Sequence, residues 1–450
     1  MKKLFSIVSI LVLTFTLVGC AENTLDESLI AGLTAELQEK TEAMIVLESL
    51  LEESEGQLSD LEDEIAVLEK DIEDLQALVF DNVITVTFDN GYGSYSSGTI
   101  GFNDDYDGTL LDVIDENYDV QYSTSDFGAF IYGIEGITTM QGNFISFGKN
   151  GEASMVGVDS ATFENGDVFS FELQWWDTGL QAVYEGIQLF LDNHAASFVN
   201  DTTVNYNVLM ALEILGLTDT YITQAEMEAL VDTTALSTNA DYFKAIMKLQ
   251  AVDSDVTQLY TDFAASATVS GYGGTAYALL ALNSTTHSVD FTVFETAALT
   301  SFDTESPYDL GLDSGGVSLV ALSEYAGDAD VDAMITEFAT WIQNDQLPSG
   351  GIETRDMGWG SSENAASISQ VIIGLVANGI DPRGVNYTQG TNNLITRLLD
   401  FQHPTGSFDW TLTDAVDEDL AFSTPQAFLA LVVYQEYANT MSAVNPYSFK

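Results

Sequence analysis

One cysteine, three histidines, six prolines and eleven lysines plus arginines are all that 450 residues hold of those types. A single thiol, Cys20, excludes any internal disulfide and any site built on two or more thiolates, including the usual structural zinc sites. Three imidazoles leave metal chemistry to carboxylates. Set against 70 acidic residues, the scarcity of bases gives a formal charge of −59. That charge excludes binding to nucleic-acid phosphates and disfavours anionic membrane surfaces. It suits salty surroundings, where screening tolerates dense surface charge. Apolar residues are plentiful at 46%, ample for a core and, at this length, for more than one domain.

The N-terminus reads as an address. Lys2 and Lys3 precede an apolar run from Leu4 to Val18, long enough for a secretory signal and short of the ~20 residues a spanning helix needs. The run ends in Leu17-Val18-Gly19-Cys20, which resembles the bacterial lipobox. The resemblance implies cleavage of residues 1–19, diacylation of Cys20 and a chain lipid-anchored at the extracellular face of the cell membrane.

From Leu33 to Val79 a 4,3 spacing runs through Leu33, Leu37, Lys40, Met44, Leu47, Leu51, Ser54, Leu58, Leu61, Ile65, Leu68, Ile72, Leu75 and Val79, a coiled-coil seam. The segment 20–80 therefore reads as a lipidated stalk, and a helix over residues 24 to 80 would be roughly 85 Å long. The positions beside the seam, Glu48, Glu55, Glu62, Glu64, Glu69 and Asp71, are acidic. A parallel homodimer would set like charges opposite each other, which leaves antiparallel pairing, another protein, or self-pairing in salt as partners.

Beyond Phe80 alternation replaces the heptads: Val83, Thr85 and Thr87 face one way and Ile84, Val86 and Phe88 the other. Asp89-Asn90-Gly91 reads as a turn, Gly108 to Asn117 as a short amphipathic helix, and Asn165-Gly166-Asp167 as the turn of a closing hairpin. Residues 82–177 thus form a small α+β, β-rich domain. From 181 to 450 helical signals repeat. Val204–Gly216, Gly274–Leu282, Gly316–Tyr325, Asn364–Asn378 and Thr424–Tyr434 are alanine- and leucine-rich, and a further pair is expected around Tyr242 to Gln250. Their near-uniform hydrophobicity argues burial on all sides.

The helical part resembles the (α/α)6 toroid shared by terpenoid cyclases, protein prenyltransferases and the vitamin B12 carriers transcobalamin and intrinsic factor. The likeness rests partly on Gln346-Leu347-Pro348-Ser349-Gly350-Gly351 and Gln402-His403-Pro404-Thr405-Gly406-Ser407-Phe408, similar to the family's Q-x-x-x-G-x-F turns. The β-rich segment resembles the C-terminal domain of the B12 carriers at Gly108 to Ile114, Tyr122 to Thr124, Ile131 to Ile134, Phe144 to Phe147, Val156 to Asp159 and Asn165 to Asp167. The domain order is the reverse of the animal carriers', and their disulfides are missing. The implied fold is multidomain: a coiled-coil helix, a transcobalamin-C-terminal-like domain and an all-α toroid.

That likeness implies cobalamin or a related corrinoid, bound between the two domains and passed to a membrane transporter. The implied ligand-facing residues are Phe144, Phe147, Val156, Gly157 and Val158 from the β domain. From the toroid they are Asn205, Tyr272, Thr275, Asp313, Asn364 and Gln426 at the first turns of inner helices, with Trp359 on a loop. N-capping competes for Thr275, Asp313 and Asn364. Catalysis is not expected: the cyclase D-x-D-D motif, the prenyltransferase zinc site and a Cys-to-Gln thioester are missing. His194, His287 and His403 are candidates to meet cobalt, each equally suited to a structural role. Asn103-Asp104-Asp105-Tyr106-Asp107-Gly108 has the spacing of a calcium loop but holds Ile114 where a bidentate Glu is needed, so it reads as a solvated acidic turn. Two competing readings are an adhesive or scaffolding surface protein and a cyclase-like or glycan-active enzyme using Asp417 and Asp419.

Overall fold

The computed structural model describes residue 65 and residues 80–450, apart from 92–94, 126–127, 272, 305–306, 355–360 and 413–417. The signal peptide, Cys20 and, but for Ile65 and Phe80, the stalk lie outside the described residues. Among the described residues no helix is long and apolar enough to cross a membrane.

The first domain runs Asn82–Asp89 (β1), Tyr95–Phe102 (β2), Leu110–Asp115 (α1), Val120–Ser125 (β3), Gly128–Ile134 (β4), Ile137–Thr138 (β5), Asn143–Lys149 (β6), Glu152–Ala153 (β7) and Val168–Trp175 (β8). One sheet has the order β2-β1-β8-β6-β7, a second β3-β4-β5. Period-two alternation turns Ile84, Val86 and Phe88 of β1 inward, in register with Phe169 and Phe171 of the parallel strand β8. Leu110, Leu111, Val113 and Ile114 of α1 and Ile131 and Ile134 of β4 complete this core. Each fully buried aliphatic or aromatic side chain there contributes on the order of 1.5–3 kcal/mol. α1 starts where Thr109 and Asp112 exchange hydrogen bonds in a capping box.

The turn at Asn165–Asp167 is not the hairpin expected. It leads into β8 beside β1 as a parallel neighbour: Val83 N–H donates to Asn165 Oδ1, Gly166 N–H to Val83 O and Thr85 N–H to Asp167 O. The run before it, Ala161–Glu164, alternates apolar and polar residues but forms no strand, so no hairpin closes there.

The second domain comprises Thr178–Asn193 (α2), Tyr206–Ile214 (α3), Gln224–Leu230 (α4), Asn239–Gln250 (α5), Thr257–Ser266 (α6), Gly274–Asn283 (α7), Thr292–Thr304 (α8), Pro307–Ser323 (α9), Ala329–Asp345 (α10), Ala365–Ala377 (α11), Leu394–Asp400 (α12) and Ser423–Thr440 (α13). From α3 onward each odd-numbered helix touches the next, and α13 returns to α3, so six inner helices close a ring. The six even-numbered helices pack outside it. This double ring explains the uniform hydrophobicity: every residue of α11 is buried. Closure also needs glycine. A Cβ on Gly316 of α9 would stand 2.5 Å from Gln370 O of α11, and one on Gly374 of α11 would stand 2.8 Å from Gly316 O.

The two Q-x-x-x-G turns are clasps. Gln346 Nε2 donates to Gly350 O and to Tyr387 O, both at 2.7 Å. Gln402 Nε2 donates to Gly186 O at 2.9 Å and to Gly406 O at 3.4 Å. Gly350 and Gly406 have φ of 90° and 91°, which side chains rarely adopt. The glutamine closes the turn and ties it to a neighbouring element.

The domains meet at the C-terminal end of α13. Gln141 N–H donates to Asn439 Oδ1 at 3.2 Å, Gln435 Nε2 lies 3.3 Å from Met140 Sδ, and Trp175 packs against both cores. Asp177 caps α2 through the Gly179 and Leu180 amides and pairs with Arg383 at 2.9 Å. Burial pushes the Asp177 carboxyl up, but the Arg383 guanidinium and the helix amides outweigh it and hold the group below the usual carboxylate range. A depressed folded value means that this joint contributes stability above the unfolded value of about 3.9 and loses it as pH falls through the folded one. Arg383→Gln should therefore remove part of the acid sensitivity of melting between about pH 5 and pH 3, read by circular dichroism.

Candidate functional site

The first turns of α3, α7, α11 and α13, the turn of α9 that follows its break at Gly311, and the segment before α13 surround a pit of about 260 Å³. Its aromatic lining is Tyr206, Tyr277, Trp410 and Phe422, with Val317, Ala366 and Gly273 between them; its polar groups are Asp313, Ser314, Gln370 and Gln426. α3, α7, α11 and α13 present their N-terminal ends, the positive ends of their dipoles, to it. No basic side chain is among the described residues that line it.

The floor is aromatic. Both the Tyr206 and the Tyr277 ring lie against Phe243, at 5.6 and 4.8 Å between centroids. Burial pushes both phenols above their usual range.

Asp313 enters the wall just after Gly311, whose φ of 70° breaks α9. Its carboxyl opens onto the pit but is walled by protein, and this burial raises it above the usual carboxylate range against the pull of Ser367, whose hydroxyl donates to Oδ1 at 2.6 Å. A raised folded value means the group costs stability as pH rises from its unfolded value through the folded one, and the cost is present at neutral pH. Asp313→Asn keeps the shape and the bond from Ser367. It should raise the melting temperature slightly at pH 7, since solvent reaching the carboxyl screens much of the effect, and leave it unchanged near pH 3, as read by calorimetry.

Gln370 is only 5% exposed, and its Nε2 donates to Gln426 Oε1 at 2.9 Å, while its own Oε1 has no partner. One amide-to-amide bond consumes one carbonyl and one NH₂. Whichever way the two amides are oriented, one carbonyl oxygen and one NH₂ group stay outside the bond between them, and the Gln370 Oε1 is itself buried. A buried acceptor without a partner costs about 1–3 kcal/mol.

Of the residues read from the sequence, Asp313 and Gln426 line this pit. Asn205 and Asn364 turn to the backbone instead, accepting from first-turn amides of α3 and α11. Thr275 is 3% exposed, its hydroxyl tied to Ser270 N and O, both at 2.8 Å. Tyr272, Trp359 and Asp417 lie outside the described residues; Asp419 accepts from the Ala421, Phe422 and Ser423 amides ahead of α13.

The β-domain set is scattered. Val158 is 2% exposed within the core, and Phe147 stacks on Phe169 and Phe171 at 5.9 and 5.4 Å, because alternation along β6 puts it on the same face as Ile145. Phe144 and Val156 are exposed, and Gly157 lies close to the Ala129 backbone. None of the three histidines lines the pit: His194 rests on Phe190, His287 on Tyr260, and His403 pairs with Asp409 at 2.8 Å. In the acidic loop, Asp104 accepts from Asn82 Nδ2 at 2.8 Å. Gln426 and the domain contact at Asn439 sit near opposite ends of α13, about 20 Å apart along its axis. The structure therefore does not bring the β-domain set to the pit.

The sequence signal that could have found the rest was a long polar or aromatic side chain interrupting an apolar inner helix: Tyr206, Tyr277 and Gln370 each stand out in that way.

Residues 107–174 match DUF4430, a domain of unknown function. The DUF4430 segment spans α1 to β8. Among solved structures, a candidate metal-binding protein from Ruminococcus gnavus is 24% identical, with 21% of this chain and 99% of that chain covered at a TM-score of 0.19. The type II terpene cyclase MstE from Scytonema, in a variant holding geranylgeranyl dihydroxybenzoate, is 12% identical, with 59% of this chain and 99% of that chain covered at a TM-score of 0.38. MstE without ligand is 13% identical, with 58% and 99% covered at a TM-score of 0.36. No curated protein matches the chain.

Proposed function

We propose that the protein is a non-enzymatic capture protein, held at the outer face of the cell membrane through Cys20, that takes a corrinoid at the pit and yields it to a membrane transporter. The observation that carries this reading is the Gln370–Gln426 pair. One free carbonyl beside one free NH₂ complements a primary carboxamide, and a corrinoid is a flat, largely apolar ring rimmed by such amides. At about 260 Å³ the pit is below the roughly 300–1,000 Å³ of sites that enclose a whole ligand. It therefore admits one arm of the ring, while the ring lies across the mouth against Trp410 and Phe422, which are 37% and 62% exposed. Apolar burial supplies affinity and the amide pair supplies selectivity.

The test is equilibrium titration with cyanocobalamin, followed by its visible absorption. Binding at micromolar protein or below is expected, with no chemical change in the ligand. Gln370→Leu combined with Gln426→Leu should weaken it at least about tenfold, or about 1.4 kcal/mol, because the ligand amide is then left unpaired. No binding by the folded wild type at micromolar concentration overturns the proposal.

A further inference from the structure

The inner ring has two ends, and the end opposite the pit is closed by the last ten residues. Met441 ends α13 in the left-handed conformation, with φ of 52°, and turns the chain back beneath the ring. The tail is then fastened to three inner helices in turn. Val444 N–H donates to Val376 O of α11 at 3.3 Å, Asn445 Nδ2 to Glu324 Oε1 just past α9 at 2.7 Å, and Phe449 N–H to Ser284 O just past α7 at 2.6 Å. Lys450 adds an ion pair to Glu324. This segment carries Tyr447 into the ring, where it is 2% exposed and meets Phe243 edge-to-face at 5.1 Å. Phe243 in turn bears the Tyr206 and Tyr277 rings.

We propose that the C-terminal tail is the floor support of the pit, and that Tyr447, inserted from the far end, is the residue that sets how deeply a ligand group enters. The assignment rests on the pit being the ligand's point of entry. With Tyr447 in place beneath Phe243, the Tyr206 and Tyr277 rings have no room to descend. Without it, the space below becomes continuous with the pit.

The experiment uses the full chain and p-cresol, which has the shape of the deleted side chain, since apolar cavities of this kind take up small aromatic molecules. Tyr447→Ala should bind p-cresol at least tenfold more tightly than wild type by calorimetry. Adding Ser314→Trp, which fills the pit from above, should cancel that gain. A gain that survives Ser314→Trp, or no gain in a folded Tyr447→Ala protein, overturns the proposal. If Tyr447→Ala does not fold, Tyr447→Leu with benzene as the probe gives the same comparison. These outcomes do not involve cyanocobalamin, so a failure of the corrinoid reading leaves them unchanged.

Discussion

Gly316→Val is expected to prevent the second domain from folding, giving insoluble protein or a melting transition lowered by ten degrees or more. The added Cβ would meet the α11 backbone at Gln370, 2.5 Å from its carbonyl oxygen and 2.6 Å from the carbonyl carbon. Real Cβ atoms do not stand that close, and no side chain rotation relieves a contact with backbone. Overpacking a well-filled core costs about 1–3 kcal/mol when side chains can yield, and more when helices must separate. Here the helices would have to separate at the tightest crossing of the ring, and the loss would spread to Gln370 and the pit. Gly136→Ala is the comparison: nothing lies within 4 Å of its Cβ position, so only the strain of φ at 79° is felt, and a small shift in melting is expected.

Arg397→Leu should lower the melting temperature by about 6–12 °C, corresponding to about 3 kcal/mol. Arg397 Nε donates to Glu363 Oε1 at 2.8 Å, and a second nitrogen, Nη2, pairs with Glu363 Oε2; the two side chains are only 18% and 15% exposed. Ser349 donates to the same carboxylate at 2.9 Å. Removing the guanidinium leaves a mostly buried carboxylate in a chain that has few other cations to offer it. The double variant Arg397→Leu with Glu363→Leu should recover much of the loss, because the one charge still orphaned, Asp400, which paired with Arg397 at 3.0 Å, is exposed to solvent. Thermal melts of the two variants decide it: equal losses in both would mean that packing, not charge, is what Arg397 supplies.

The positions of the inner helices were legible in the sequence because a helix buried on all sides must be apolar all round, as Ala365–Ala377 is. The outer helices were less legible, since an amphipathic helix such as Ala329–Asp345 differs little from a solvated one. At the pit, Asp313 and Gln426 could be placed because polar residues at a helix start are conspicuous. Position alone could not tell a side chain that turns back to cap its own helix, as Asn205 and Asn364 do, from one that looks into the pit. Phe147 and Val158 went unrecognised as core because strand alternation fixes faces only once the register with neighbouring strands is known. The tail's role was not legible at all: Tyr447 is meaningful only after the ring has closed around it.

One helix spans the distance between the pit and the β domain. It is not the sole tie, because the Asp177–Arg383 pair joins the linker to the helical domain by a second route. The two ends of α13 thus differ in kind: one borders a hollow, the other a seam between domains.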